Sequence, residues 1–494
     1  MKLSIKRSSH GSFPSLAWVA NKNSKESGTL SVWCGDLVET GENYLVEGVW
    51  PGAFDNIDFD ESELFYGSGL RVRGSDVCFV SSCSTVDRLW CHKDGESVTV
   101  SNSLPCLLGI ANVDLVCEHN GYAQAVETIV KGRSYRKDFP VTRGSLEIHY
   151  FENLVLNDAG LVAASKPEHI RGFTDFDSYS QFLNETAEGI GRNAKDPSRK
   201  NPITIMSTVS RGYDSPVASI LARTAGARKA VTIKSARSLI PRQDSGALIS
   251  DLLGLECEEY TNTRKNIKDE LWYWAANGSL QDMNFSVFRY PRGPSLMFTG
   301  FNGDMVWSRG SSTSDDYLKR KDSTGVGFCE HRLVEGVIHC PVPFWGIRHL
   351  KDIKRISEDG EMTPWSVGGD YDRPIPRRIV ESEGVPRDYF GQKKSATTVD
   401  ELLLFPVARH LMKEYEKFLD YYSSNPIKIY RFYLSRKIID IWRSVLRQRI
   451  IDILGGVPII NSFSKTFGWE DYLFPWANQA LKPSIFKLKE DIKQ

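Results

Sequence analysis

The chain has 494 residues, more than one compact core requires, so its length predicts two or three domains. Its 62 Lys and Arg residues balance 62 Asp and Glu residues. A general nucleic-acid binder carries a basic surface, so this balance disfavours that class and favours a small or neutral substrate.

The nine cysteines stand singly, without a C-x-x-C pair or a histidine at zinc spacing. They therefore indicate reduced thiols and neither a zinc knot nor a disulfide framework. The first residues lack the apolar core of a signal peptide, and no stretch reaches the length of a membrane span. We expect a cytoplasmic protein.

Residues 1–160 consist mostly of short β-segments separated by Gly, Asp, Asn and Ser. Such segments are "GTLSVWCGDLV", "DVCFVSSC", "RLWCHKDGESVTVSNS" and "GSLEIHYFENLVLN". Helical periodicity is limited mainly to "YAQAVETIVKG". The pattern predicts a mainly β or layered α+β domain.

A second domain begins after this region and extends over 165–494. It opens with an amphipathic helix, "DFDSYSQFLNETAEGIGRN", and a polar connector, "AKDPSRKN". The alternation of strand, turn, helix and strand that follows predicts an α/β fold with a parallel sheet. From about Glu401 the chain is expected to be a helical extension.

The segment 426–456 combines many basic residues with aliphatic and aromatic ones. It could contact an acidic membrane surface or a partner protein. A helix packed on the preceding domain, with a solvated basic face, is the favoured alternative. The sequence leaves a homodimer open.

The stretch "ITIMSTVSRGYDSPVASILARTAG" predicts a strand, a tight turn and a helix. Residues 203–208 are rich in β-branched side chains, Pro216 suits the first helical position, and Gly226 suits the helix end. The turn 210–215 is thus expected at the carboxyl edge of the sheet, where α/β proteins bind ligands.

The composition of this turn indicates a phosphate site. Helix N-termini stabilise phosphate, Gly212 allows close approach of the main chain, and Ser210 and Ser215 add hydroxyl donors. Asp214 would repel phosphate unless a divalent cation lay between them. We therefore interpret the turn as a magnesium and polyphosphate cradle. An ordinary Asx- or Ser-capped helix start is the alternative.

The turn resembles a motif of the PP-loop ATP pyrophosphatases, specifically the asparagine synthetase and β-lactam synthetase group. That group has Ser-Gly-Gly-x-Asp-Ser, and this chain has "SRGYDS", with Arg211 in place of one glycine. Three later stretches resemble the group in the same order: "VTIKS", "FTGFNGDMVW" and "FGQKKSA". The tail "YLFPWANQALKPS" is also similar, and the resemblance extends over most of 165–494.

The resemblance implies an enzyme that uses ATP and Mg²⁺. It would adenylate a small-molecule carboxylate, release pyrophosphate, and pass the acyl group to ammonia or an amine. It implies the following sites: Ser210, Arg211, Gly212, Tyr213, Asp214, Ser215, Val231, Ile233, Gly300 and Gly303 for ATP and pyrophosphate; Asp214 and Asp304 for magnesium; and Lys394, with Lys393 next, for the transition state.

The segment "TVDRLWCHKDGESVTVSNSLPCLLG" resembles the end of the glutaminase half that precedes the synthetase domain in this group. That half is an N-terminal nucleophile (Ntn) hydrolase fold whose reactive cysteine is the first residue. Here the chain begins Met1-Lys2-Leu3-Ser4, and the first cysteine is Cys34, within a predicted strand. We therefore expect a glutaminase-like domain without glutaminase chemistry.

Several departures keep a second function open. Phe301 stands where the group carries a proton acceptor, and it can neither accept nor donate a proton. His331, His339 and His349 are alternative bases, although a lone histidine is more often structural. A catalytically degenerate nucleotide-binding or assembly subunit is the alternative. RNA modification is disfavoured by the zero net charge.

The substrate pocket is expected on the loops 308–328 and 353–372. Their composition does not identify a ligand. The charged stretch "GGDYDRPIPRR" could belong to the pocket or form structural salt bridges.

Overall fold

A computed structural model describes residues 1–7, 13–23, 28–119, 121–234, 244–261, 267–310, 315–369, 371–392, 405–422 and 472–491. The strands are β1 (Lys2–Arg7), β2 (Trp18–Lys22), β3 (Thr29–Cys34), β4 (Glu39–Thr40), β5 (Tyr44–Val49), β6 (Tyr66–Arg73), β7 (Asp76–Val80), β8 (Leu89–Asp94), β9 (Ser97–Ser101), β10 (Asp138–Phe139), β11 (Ser145–His149), β12 (Glu152–Asn157), β13 (Gly160–Ser165), β14 (Thr204–Thr208), β15 (Lys229–Ile233), β16 (Glu256–Tyr260), β17 (Ser295–Thr299) and β18 (Val337–Pro341).

The α-helices in the described residues are α1 (Leu104–Ala111), α2 (Tyr122–Glu127), α3 (Phe176–Ala194), α4 (Asp214–Thr224), α5 (Ala247–Leu252), α6 (Glu270–Asn277), α7 (Gly303–Val306), α8 (Cys329–Glu335), α9 (Leu350–Glu358), α10 (Pro374–Ser382), α11 (Arg409–Tyr422) and α12 (Leu473–Asp491). Short 3₁₀ turns occur at Phe54–Asn56, Thr128–Val130, Gly132–Ser134, Met283–Val287, Val326–Phe328, Val342–Phe344, Ile347–His349, Gly360–Trp365 and Arg387–Tyr389.

Strands β1 to β13 build two sheets. One has the order β1-β3-β2-β9-β8-β11-β10 and is antiparallel except for the β1–β3 pair. The other, β13-β12-β7-β6-β5-β4, is antiparallel throughout. Apolar side chains from both sheets form one buried core, in which the rings of Trp18 and Phe79 stack 6.2 Å apart. The sheets therefore pack face to face.

Helices α1 and α2 cover the outer face of the first sheet through a second apolar core that includes Trp90 and Tyr122. The N-terminal region is thus layered α+β, as the sequence predicts. Its sheets extend to Ser165, the last residue of β13. Each of the four β-segments quoted above contains a strand, and Cys34 ends β3.

Helix α1 was not predicted. Its residues from Leu104 to Ile110 are all buried, so it shows no polar face and no helical period in the sequence.

Helix α3 connects the two regions. Its first residue follows Asp175, whose carboxylate accepts a hydrogen bond of 2.8 Å from the Ser178 backbone N–H in a capping box. The helix occupies the amphipathic stretch that the sequence predicts.

Strands β14 to β18 form a five-stranded sheet of order β16-β15-β14-β17-β18, and all of its pairs are parallel. The predicted α/β fold with a parallel sheet is confirmed. Strand order reverses at the β14–β17 pair, because β15 and β16 lie on one side of β14 while β17 and β18 lie on the other. A crevice at the carboxyl ends of β14 and β17 is the expected ligand site of such a sheet.

Charged side chains are buried where the N-terminal sheets meet the second region. Arg332 of α8 binds both carboxylate oxygens of Glu47 at 3.0 Å and an oxygen of Asp87 at 2.5 Å. Their side chains are at most 3% exposed. Arg320 donates to the Thr85 carbonyl at 3.1 Å. The two regions therefore share one network of buried ion pairs and hydrogen bonds.

The last helix also joins both regions. In α12, Phe474 stacks on Tyr122 with ring centroids 5.8 Å apart, and Trp476 packs against Tyr415 of α11 at 4.9 Å. The basic segment 426–456 lies outside the described residues, so its predicted membrane or partner contact stays a prediction.

No helix in the described part of the chain combines the length and the apolarity that a membrane crossing needs. All nine cysteines are free thiols, and only Cys78 and Cys257 are not fully buried.

Candidate functional site at the strand-order reversal

A cavity lies at the carboxyl ends of β14 and β17, where the strand order reverses. It measures about 240 Å³, slightly below the range of about 300 to 1,000 Å³ usual for small-molecule sites. Ten of the predicted site residues line it: Ser210, Gly212, Tyr213, Asp214, Ser215, Val231, Ile233, Gly300, Gly303 and Asp304. The structure thus brings together segments that are up to 94 positions apart in the sequence.

The turn 210–215 leads directly into α4, which begins at Asp214. The sequence placed Pro216 at the first helical position, and this prediction is wrong by two residues. Pro216 still lies within the first turn, where its missing N–H is tolerated. Gly226 follows the helix with a φ of 94°, as predicted for its end.

The early start of α4 places Asp214 in its first turn, next to the positive end of the helix dipole. Tyr213, the N-cap residue, makes no side-chain cap to the helix, and its hydroxyl accepts a hydrogen bond from Arg377. Ser215 Oγ accepts from the Ser210 backbone N–H at 2.9 Å and pairs with Ser210 Oγ at 2.8 Å. The turn is therefore held in shape by its own serines.

Gly300 and Gly303 allow the β17 turn to lie directly on Asp214. A Cβ atom on Gly300 would come within 2.5 Å of the Asp214 carbonyl carbon, and one on Gly303 within 2.3 Å of its Cγ. Real Cβ atoms do not approach so closely, so these positions require glycine. The close packing holds the Asp304 turn beside the start of α4.

Gly212 differs from these two glycines. A Cβ atom there would make only ordinary contacts, 3.4 Å from Ser210 Oγ and 3.5 Å from the Tyr371 hydroxyl. A Cβ atom would therefore be tolerated at Gly212, and close packing of the protein does not explain the glycine there.

Each of the two aspartates faces a cationic side chain. Arg373 Nη1 donates to Asp214 Oδ2, and Lys321 Nζ lies 3.6 Å from Asp304 Oδ2. Arg320, Lys321, Tyr371 and Arg373 also line the cavity. None of the four was predicted individually. Arg320 and Lys321 lie on the predicted pocket loop 308–328 and Tyr371 lies on the predicted pocket loop 353–372, whereas Arg373 falls only within the charged stretch "GGDYDRPIPRR".

Arg211 is not among the residues that line the cavity. Its Nε donates to the Tyr389 carbonyl at 3.3 Å, and its own carbonyl accepts from the Gly391 N–H at 2.8 Å. The side chain thus contacts a neighbouring loop, and its predicted contact with pyrophosphate stays a prediction. Lys393 and Lys394 lie outside the described residues.

Phe301 lines the cavity, and its ring packs against His339 with centroids 5.2 Å apart. Burial lowers the pKa of His331 and of His339 to about 3, so both are neutral and remain so in mild acid. His339 Nε2 lies 2.8 Å from Thr299 Oγ1, and His349 Nε2 lies 2.9 Å from the Ile170 carbonyl. None of the three histidines lines the cavity, which supports their structural interpretation.

Replacement of His331 by Phe is expected to weaken acid destabilisation. The unfolded chain binds a proton below pH 6.5 and the buried ring does not, so wild-type stability falls as pH decreases. At pH 5 this loss amounts to about 2 kcal/mol. His331→Phe keeps the ring contact with Tyr273, and urea unfolding at pH 7 and pH 5 should show a smaller difference. His410→Gln, at an exposed position of α11, should leave that difference unchanged. An unchanged difference in His331→Phe would contradict the prediction.

A second group of potential metal ligands comprises Asp269, His331 and Glu335, with ligand atoms within 4.8 Å of one another. Glu335 Oε1 already accepts a hydrogen bond from the Lys268 ammonium. This cation neutralises the carboxylate, so the cluster is explained as an ion pair beside a buried ring.

The comparisons with known proteins do not identify the chain. No family model and no curated protein matches it. One solved structure, described as an allosteric regulatory enzyme of purine biosynthesis, matches at 11% identity with a TM-score of 0.15. The match covers 60% of this chain and 60% of that chain. A similarity at this level indicates neither a shared fold nor a shared function.

Proposed function

We propose that the chain is an ATP-dependent carbon–nitrogen ligase that forms AMP and pyrophosphate. The observation that carries this proposal is the shared cavity at the strand-order reversal. There the α4 N-terminus, the serine turn and the Asp304 turn meet three cationic side chains, Arg320, Lys321 and Arg373, together with further polar side chains that include one carboxylate, Asp322. This set of groups suits a polyphosphate, and its position suits a nucleotide.

The proposed reaction has two steps. A carboxylate oxygen of the substrate attacks the α-phosphorus of ATP, the bond to the bridging oxygen breaks, and pyrophosphate leaves. An amine or ammonia nitrogen then attacks the acyl carbon, the carbon–oxygen bond breaks, AMP leaves with that oxygen, and the nitrogen loses a proton to solvent water. Donors fixed in advance at the departing phosphates supply the main stabilisation.

The residues of the cavity divide into two parts in this proposal. Val231 and Ile233, whose side chains are buried, would hold the adenine. The serine turn, the first N–H groups of α4 and the cationic side chains would hold the phosphates. Lys394 or Lys393, which the resemblance assigns to the transition state, would complete the site.

The Mg²⁺ expected from the resemblance fits only in part. The Asp214 carboxylate is paired with Arg373, so a metal ion there would have to displace a guanidinium. The proposed reaction therefore uses no metal ion at Asp214.

The domains are assigned in the same proposal. The two face-to-face sheets of the first region support a glutaminase-like Ntn shell over 1–160, and the reversed strand order supports a PP-loop synthetase domain over 165–494. The proposed setting is cytoplasmic, with a small carboxylate and an amine or ammonia as substrates. Nucleic acid and a membrane are not part of the proposal.

The alternative is a nucleotide-binding subunit without catalysis. The Asp214–Arg373 pair favours it, because a neutralised carboxylate no longer recruits a catalytic metal ion. Phe301, which lines the cavity and cannot transfer a proton, favours it as well.

The two functions differ in their products. The full chain is incubated with ATP labelled at the α-phosphate, a set of carboxylic acids, and hydroxylamine to trap an activated acyl group. The ligase should release AMP and pyrophosphate and form a hydroxamate. Formation of ADP would contradict the ligase, and ATP binding with no product from any acid would favour the subunit.

A matched pair of variants ties this activity to the cavity. Asp304→Asn should reduce AMP release, whereas Asp388→Asn, at an exposed position of a 3₁₀ turn, should not. Equal activity of the two variants would place the reaction elsewhere.

A further inference from the structure

Arg373 occupies the place that a divalent cation would take at Asp214. Its guanidinium donates to the Asp214 carboxylate, and its side chain is only 4% exposed. Mg²⁺ requires carboxylate oxygens at about 2.0–2.1 Å in near-octahedral geometry. A metal ion bound to this carboxylate would lie beside the positive charge of the guanidinium and be repelled by it.

The position of Arg373 is fixed by several neighbours. Its Nε donates to Ser308 Oγ at 3.3 Å, and its guanidinium carbon lies 5.0 Å above the Tyr371 ring. The preceding residue, Asp372, is buried and accepts backbone N–H groups of Val367 at 3.0 Å and Gly368 at 3.2 Å. The guanidinium is therefore a built part of the cavity wall.

A guanidinium, like a divalent metal ion, supplies positive charge to the oxygens of a diphosphate. Its charge is permanent, because arginine is not deprotonated in proteins, and its planar donors match phosphate oxygens. It already neutralises Asp214, which would otherwise repel an anion at the start of α4.

We propose that Arg373 replaces a divalent cation at Asp214, so that this chain binds the phosphates of a nucleotide without a metal ion at that residue. The inference rests on the proposed function, since it takes the cavity to be a nucleotide site. The inference adds to the proposed function that one residue, Arg373, removes the need for a metal ion at Asp214 when the nucleotide binds.

Calorimetric titration of the full chain with ATP, in EDTA and in excess Mg²⁺, tests this inference. The affinity of the wild-type protein for ATP in EDTA should be within about threefold of its affinity in Mg²⁺, a difference of under 1 kcal/mol in binding free energy. Arg373→Gln should lose about 10- to 100-fold of the affinity in EDTA, equivalent to about 1.4 to 2.7 kcal/mol, and recover most of it in Mg²⁺. Arg373→Lys should keep part of the binding in EDTA.

The control is Arg378→Gln. Arg378 lies on α10, the helix that follows Arg373 directly, but it pairs with Asp177 and Glu361 outside the cavity, so its loss should leave both affinities unchanged. Thermal unfolding of each variant establishes that it is folded, and Arg373→Lys provides the test if Arg373→Gln does not fold.

The outcomes separate the inference from the proposed function. If the wild-type protein bound ATP only in Mg²⁺, and the Arg373 variants depended on Mg²⁺ to the same extent, the inference would be overturned. The cavity would still be a nucleotide site. Failure of wild type to bind ATP under either condition would overturn both.

Discussion

Replacement of Arg332 by Met is expected to destabilise the protein by about 3 to 5 kcal/mol, the largest effect of a single substitution that the structure predicts. The substitution removes the cation and leaves Glu47 and Asp87 buried without it. Burial raises the pKa of both carboxyl groups, and Arg332 opposes that rise. The midpoint of urea unfolding should therefore fall sharply.

The pH dependence of this effect has a definite sign. With the cation removed, the two buried carboxyl groups favour the protonated form, so their folded pKa values lie further above the unfolded ones. Such groups stabilise the fold at low pH, and this contribution is lost as pH rises. Arg332→Met should be more destabilising at pH 8 than at pH 5.

A triple variant provides the control. Glu47→Gln and Asp87→Asn combined with Arg332→Met leave no buried charge in the cluster, so stability should be largely recovered. A triple variant as unstable as Arg332→Met would show that packing around the arginine, not its charge, is what matters.

Replacement of Gly303 by Ala is expected to lower AMP formation by about 100-fold, because a misplacement of about 1 Å at a reacting site has effects of that size. The added methyl group would lie 2.3 Å from Asp214 Cγ, so either the Asp214 carboxylate or the turn at residue 303 must shift. The affinity for ATP, measured calorimetrically, should decrease as well.

Gly293→Ala is the matched control, because a Cβ atom at Gly293 meets no atom within 4 Å. It should retain wild-type affinity and stability. If Gly303→Ala also retained them, the contact between the Asp304 turn and α4 would be irrelevant to binding.

Much of the candidate site could be predicted from the sequence, because each of its segments has a recognisable pattern of neighbouring residues. The strand at 203–208, the polar turn and the helix are neighbours in the chain, and the Gly300 to Asp304 turn has its own spacing of glycines. Both aspartates were therefore predicted, and the structure places them in one cavity. The same local signals could not fix the helix start, since proline is tolerated throughout the first turn.

The remaining site residues could not be predicted, because their contacts join distant parts of the chain. Arg373 is 159 positions from Asp214. No periodicity or spacing relates two such residues, and a charged loop has the same composition whether it faces a cavity or solvent. The reversed strand order, too, is a property of pairing between strands and not of any one segment.

The interface between the two regions has an evolutionary consequence. Thr85, Glu47 and Asp87 satisfy arginines that belong to the second region, while Arg88 donates to the Ala276 carbonyl in return. Selection can therefore maintain the first region as a scaffold even where it has no catalytic duty of its own. Deleting it would expose these arginines and break the buried ion pairs that they form.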